Sequence, residues 1–136
     1  MNSATVADTL SLYNTTGSLS QYLIYNLFRI LRPIRKKFNL TINEIVILNG
    51  MMLYNKYVGS SFSYSAILRY VGYFNDKKMR YYIGSLEEKG YIVLSDILNG
   101  AKRYQLTQKG IEAISHMQES YDKALYNYIL DNKIIL

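Results

Sequence analysis

Lys77, Lys78 and Arg80 fall within the first turn and a half of a segment that reads as a helix, residues 75–89. Cations there oppose the positive pole of the helix dipole, so the placement is unfavourable for the helix alone. An anion at the same place supplies the compensation, because backbone N–H groups at a helix start also face a phosphate. Charge recognition is therefore the chemistry these residues can do. A lysine offers a point charge to a phosphate; an arginine offers a planar fork that matches O6 and N7 of guanine. Asp76 partly offsets the cluster, and an ordinary solvated face is the alternative. Tyr81 and Ser85 lie off the Met79–Ile83–Leu86 stripe that should be buried. Tyr81 can touch a phosphate or a thymine methyl, or pack on the preceding helix. Lys102 and Arg103 follow an Asn99-Gly100 turn and are further candidates for phosphate contacts. A two-residue turn also puts Asp96 opposite Arg103, a competing role of modest strength. The DNA-facing candidates are thus Lys77, Lys78, Arg80, Tyr81, Ser85, Lys102 and Arg103.

Other chemistries find little support. The chain has no cysteine, which excludes disulfides and thiolate chemistry. His116 is the only histidine, and no carboxylate is spaced to complete a metal site with it. Glu87 and Glu88 are adjacent and diverge, so they are not an acid–base pair. Neither a Walker-type loop nor a dinucleotide-binding glycine motif occurs. The expectation is a protein that is not an enzyme, with no catalytic residue, no cofactor and no metal. A net charge of +6 and a pI near 9.4 suit a polyanionic partner. The chain start lacks the pattern of a signal peptide, and the apolar stretch 45–53 is too short to span a bilayer. A cytoplasmic setting without a membrane partner is expected. One basic run stands apart: Arg29, Arg32, Arg35, Lys36 and Lys37, with no acid between them. It reads as a solvated helix face paired with Glu112, Glu119 or Asp122, or else as a second phosphate-facing patch.

These residues need positioning elements, and the sequence marks most of them. Residues 1–17 are polar and read as a flexible N-terminal arm, with a short helix at 6–13. From Ser18, Leu19, Leu23, Leu27, Ile34 and Phe38 recur at helical spacing, and Pro33 should kink or split that helix. Thr41 with Glu44 makes a capping box opening a helix to about Tyr57. Ser63 caps a short helix with Ile67, Leu68 and Val71 inside, ended by Gly72; Tyr73-Phe74 form the turn, and Asn75 caps the basic helix. That is a helix-turn-helix pair. Asn99-Gly100 between two β-like runs signals a hairpin. Its register should pair Leu98 with Ala101, Asp96 with Arg103, Ser95 with Tyr104 and Val93 with Leu106. Val93, Tyr104 and Leu106 are then expected in the core. Ile97 and Leu98 near the tip should pack on a partner subunit or on the body. Thr107 caps a last helix to about Asp131, with a stripe from Ile111 to Tyr128.

The sequence Leu40-Thr-Ile-Asn-Glu44, the run Leu86-Glu-Glu-Lys-Gly-Tyr-Ile92 and Leu106-Thr-Gln-Lys-Gly110 resemble the MarR family of bacterial winged-helix regulators, with the PadR-like group as near relative. The resemblance covers about residues 18–131. The hairpin is short and lacks the arginine-rich extension usual in MarR proteins. The fold it implies is mainly α with a small β-hairpin wing (α+β): a winged helix-turn-helix core at about 41–107, within one domain spanning 18–136. Helices at about 18–38 and 108–131 would join two copies. The implied function is sequence-specific binding of double-stranded DNA by a homodimer, with helix 75–89 in the major groove. Many members also take small aromatic effectors. The alternative is a winged-helix protein-interaction module that does not read DNA.

Overall fold

The computed structural model describes residues 20–72 and 74–132. The expected arm, with its short helix, and Tyr73 lie outside them. Five helices and three strands are numbered here: α1 Leu27–Phe38, α2 Ile42–Tyr57, β1 Phe62–Ser63, α3 Tyr64–Val71, α4 Asp76–Glu88, β2 Ile92–Leu98, β3 Ala101–Leu106 and α5 Gln108–Asp131. Residues 20–25 are helical as well, and a turn at Asn26 separates them from α1. Pro33 does not split its helix; the interruption falls seven residues earlier, where the Asn26 side chain donates to the Tyr22 carbonyl at 2.9 Å. That carbonyl also keeps its backbone bond from the Asn26 amide at 3.0 Å, so side chain and main chain share one acceptor there.

The chain forms two compact units, one of residues 34–117 and one of the segments up to 33 and from 118. In the first unit each helix starts where its capping residue dictates. Thr41 Oγ1 accepts from the Glu44 amide at 3.2 Å, and Glu44 Oε1 accepts from the Thr41 amide at 2.9 Å. Ser63 and Asn75 accept from the amides of Ala66 and Lys78. The helix-turn-helix pair α3–α4 packs on α2, with Ile45, Leu48, Ile67, Met79, Ile83 and Leu86 buried among them.

The sheet has the order β1-β3-β2, antiparallel throughout. Asn99 and Gly100 both hold positive φ, at 51° and 79°, as the tight turn requires. Leu98 faces Ala101 and Asp96 faces Arg103, as the turn predicts. Beyond Asp96 the register changes. Ser95 is left over in a bulge, so Leu94, not Ser95, faces Tyr104, and Ile92, not Val93, faces Leu106. One extra residue inverts the faces of everything beyond it. Ile92 is buried, whereas Val93 is exposed; Tyr104 remains in the core and Leu106 is half-buried. The two-residue β1 pairs Phe62 with Tyr104, a strand too short to show periodicity.

The Leu106-Thr-Gln-Lys-Gly110 motif closes the wing onto the helical layer. Thr107 donates its amide to the Tyr91 carbonyl at 3.1 Å and its hydroxyl to the Gly90 carbonyl at 2.6 Å, and its oxygen caps the Gly110 amide at 3.1 Å. Gly110 thereby lies against the Tyr91 carbonyl so closely that a Cβ would collide with that backbone oxygen. Replacing Gly110 with Ala forces strand and helix apart, and should destabilise the protein by about 2 kcal/mol, the range of core overpacking. Chemical denaturation of the two proteins measures it; an unchanged midpoint would contradict the close approach.

Candidate nucleic-acid interface

Helix α4 turns one side inward and the other to solvent. Met79, Ile83 and Leu86 are buried, while Lys77, Lys78, Arg80 and Tyr81 are exposed. Four of the seven candidates thus share one exposed face at the start of one helix.

Arg80 is oriented before any ligand arrives. Its Nε lies 3.0 Å from Asp76 Oδ2, one helical turn back, and its guanidinium stands 4.5 Å over the Tyr64 ring. Tyr64 in turn donates its hydroxyl to the Asp76 backbone carbonyl at 2.5 Å and lies 3.0 Å from Asp76 Oδ1. Asp76 is held below the usual carboxylate range by the Arg80 and then the Tyr64 hydrogen bond. Desolvation and then the Asp76 carboxylate push the Tyr64 hydroxyl up. One edge of the guanidinium is committed to Asp76 and one face to Tyr64. The pair of terminal nitrogens is the part of the fork left for a bidentate acceptor.

The remaining candidates divide. Ser85 points inward and donates its hydroxyl to Glu44 Oε2 at 2.8 Å, so it is absent from the exposed face. Tyr81 is 71% exposed and touches the Tyr82 ring edge-on, not the preceding helix. Arg103 reaches Asp96 at only 3.8 Å; its closer partners are Ser61 Oγ, at 2.8 Å from one terminal nitrogen, and the Ser61 carbonyl at 3.2 Å. It fastens the wing to the segment before β1. Lys102 is exposed and lines a groove of about 580 Å³ together with Arg80, Gly84 and Tyr104. Ile97 and Leu98 are exposed on the wing and do not pack on the body.

Beneath the exposed face lies a charge that the sequence shows only as half of a capping box. Glu44 is 1% exposed, and its carboxylate takes hydrogen bonds from the Thr41 amide, Ser85 and Lys89 Nζ, the last at 2.8 Å. Burial pulls its pKa up, but the bonds from Lys89, Thr41 and Ser85 together outweigh it and set it below the ordinary value. Lys89 also donates to the Asn39 carbonyl at 2.7 Å. The start of α2 is thus tied to the last turn of α4 and to the residue that ends it. The Tyr64–Asp76–Arg80 contact had a partial sequence signal, the i,i+4 spacing of Asp76 and Arg80. Tyr64 and Ser61 had none.

Among the described residues, no group of His, Asp or Glu is arranged to hold a metal, and no helix is long and apolar enough to cross a membrane.

No family model matches the sequence, and no curated protein does. Solved structures do match. The Staphylococcus aureus MepR–DNA complex aligns with a TM-score of 0.68 at 14% identity, over 85% of this chain and 84% of that one. A MarR family protein from Bacillus stearothermophilus aligns at 0.63 with 20% identity, over 95% and 82%. The organohalide-sensing regulator RdhR, in its 2,4-dichlorophenol-bound form, aligns at 0.60 with 15% identity, over 100% and 72%. The fold is the MarR-like winged helix. At such identities the likeness speaks for backbone architecture alone.

The Glu44 cluster makes a pH-dependent contribution to stability. A carboxylate with a folded pKa below its unfolded one stabilises fully above the unfolded value, about 4.3, and loses that contribution as pH falls through the folded value. Glu44→Gln leaves Lys89 without its counter-charge. It should cost about 3 kcal/mol at pH 7, the low end for a broken buried pair because Lys89 stays partly wet. The gap between parent and variant should narrow as pH is lowered past about 4. Urea titrations at stepped pH measure it, and a gap independent of pH would refute the assignment.

Proposed function

We propose that this chain is a sequence-specific, double-stranded-DNA-binding transcriptional regulator of MarR-like type, which works as a homodimer in the cytoplasm. The observation that carries the reading is the Arg80 fork, exposed, pre-oriented by Asp76 and Tyr64, and flanked by exposed Lys77 and Lys78. A solvated helix face does not need its arginine held in one orientation. A helix that reads a base edge does, because ordering a long side chain on binding costs entropy that a pre-set fork avoids. In this reading α4 lies in the major groove. Arg80 contacts a guanine, Lys77 and Lys78 contact phosphates, and Tyr81 touches the backbone or a thymine methyl. Lys102 adds a wing contact, and Arg103 serves mainly to hold the wing. The core is residues 41–107. A small-molecule effector belongs to the proposal by analogy with the chlorophenol-bound neighbour, without assigned residues.

Dimerisation through the flanking helices rests on exposed apolar surface. In the unit formed by the chain's two ends, Ile24, Tyr25, Phe28, Tyr126 and Leu130 are all more than half exposed. Large apolar side chains concentrated this way mark an interface. Light scattering at tens of micromolar should return twice the chain mass of 15.8 kDa. A single-chain mass overturns the dimer.

Selection of DNA from a random pool, followed by binding measurements on the selected site and on random duplex, tests the reading itself. Replacing Lys78 with Ala should weaken both duplexes equally and lower the salt dependence by roughly one counterion per site. Replacing Arg80 with Ala should reduce the preference at one base pair about tenfold to a hundredfold, the worth of a bidentate contact. Tyr64→Phe, which keeps the ring but frees the Asp76 contacts, should lie between parent and Arg80→Ala. Parent-like binding by both Lys78→Ala and Arg80→Ala would remove α4 as the reading element.

A further inference from the structure

The basic run on α1 has no part in the proposed reading, yet it holds most of the charge imbalance of the chain. Arg29, Arg32, Arg35, Lys36 and Lys37 are five of the sixteen cations, and without them the net charge falls from +6 to +1. Helix α4 and the wing, residues 75–106, together amount to only +2. Three of their cations are engaged as well: Arg80 by Asp76, Lys89 by Glu44 and Arg103 by Asp96 and Ser61. The run on α1 differs. Among the described residues no ion pair involves any of the five, so the expected pairing with Glu112, Glu119 or Asp122 is not formed. Their local contacts are neutral: Arg29 donates to the Asn26 side-chain oxygen and Arg35 to the Leu40 carbonyl.

Helical spacing sorts the run. Arg29, Arg32 and Lys36 stand at i, i+3 and i+7 and share one side of α1, all exposed, roughly opposite the buried Leu31 and Ile34. Like charges three and four residues apart repel, and Arg29 and Arg32 lie toward the helix start, where the dipole disfavours cations. Helix stability alone therefore does not account for the row, although it does account for Arg35, Lys36 and Lys37 in the last turn. At about 1.5 Å rise per residue the row is roughly 10 Å long. A duplex carries one negative charge per about 1.7 Å of axis, so several phosphates fall within that length.

We propose that α1 carries a second DNA-binding surface, in which Arg29, Arg32 and Lys36 contact backbone phosphates and add affinity without sequence preference. The proposal rests on the DNA-binding reading above and divides its labour: α4 supplies discrimination, and α1 supplies much of the electrostatic affinity.

The test is salt-dependent binding of the full chain, parent against an Arg29→Gln, Arg32→Gln, Lys36→Gln triple variant, on the selected site and on random duplex. The variant should lose two to three units of the salt slope per protomer, about five for the dimer, at roughly 0.9 per phosphate contact. The loss should be the same on both duplexes, with the ratio between them unchanged. The single Lys36→Gln variant should lose about one unit per protomer, roughly two for the dimer, which keeps the test valid if the triple variant fails to fold. If the parent binds DNA and the variants keep its slope, the α1 surface is refuted while the α4 reading stands. If the parent binds no duplex at all, the function reading fails first and this one falls with it. A change in the preference ratio, with the slope intact, also counts against it, because phosphate contacts carry no sequence information.

Discussion

The buried carboxylate of Glu44 constrains the rest of the unit formed by residues 34–117. An ionised side chain withdrawn from water is tolerated only with a full set of donors. Meeting that demand draws together the Thr41 amide, Ser85 and Lys89, three positions from two helices. Because Ser85 and Lys89 lie a turn apart at the far end of α4, they fix its rotation as well as its distance from α2. A one-residue roll of α4 would take both donors from the carboxylate and also drive Met79 and Ile83 out of the core. Polar satisfaction and apolar burial thus select the same orientation. The Lys109 ammonium, bonded at 2.8 Å to the Lys89 carbonyl, extends the constraint to the start of α5.

What is left outside follows from what is held inside. With the Met79–Ile83–Leu86 stripe and the Ser85 bond fixed, Lys77, Lys78, Arg80 and Tyr81 have only solvent to face. Arg80 is then trimmed further by Asp76 and Tyr64. An acid at Asp76 runs against the charge of a surface proposed for phosphates. Its charge, however, favours the helix start and is matched by the Arg80 guanidinium at 3.0 Å. It costs the surface one positive charge and returns a defined arginine geometry.

Local chemistry was the part of this fold that the residue order revealed. Thr41, Ser63, Asn75 and Asn99-Gly100 each act over three or four residues, and all five elements they start or turn appear as read. The errors arose where a distant partner outweighed a local pattern. Ser85 lies off the apolar stripe and so read as exposed, but a carboxylate 41 residues earlier claims it. Arg103 does pair with Asp96, at 3.8 Å, but Ser61, 42 residues away, adds shorter bonds that no local pattern signals. The bulge at Ser95 carries no turn signal, because its cause is the need to bury Ile92 and Tyr104 together, which is a property of the packed unit. Pro33 shows the opposite case: a strong local signal for a break that the helix absorbed.

The apolar character of the wing then follows from its attachment. Arg103 is spent on Ser61, and Val93, Leu94, Ile97 and Leu98 leave the outer strand with little charge to offer a phosphate. Lys102 is the wing cation with no carboxylate partner among the described residues, and it lines the same groove as Arg80. A wing of this composition is a support for α4 more than a second reader. If the protein is to hold a polyanion firmly, the charge must come from elsewhere in the chain. The sequence places it in one stretch of nine residues, 29–37, with no acid to neutralise it. A sparse reading helix, a nearly neutral wing and a concentrated basic helix are then parts of one arrangement. In the proposed reading, discrimination falls to a few pre-oriented groups and affinity to exposed surface cations, which tolerate any sequence because every nucleotide carries the same phosphate.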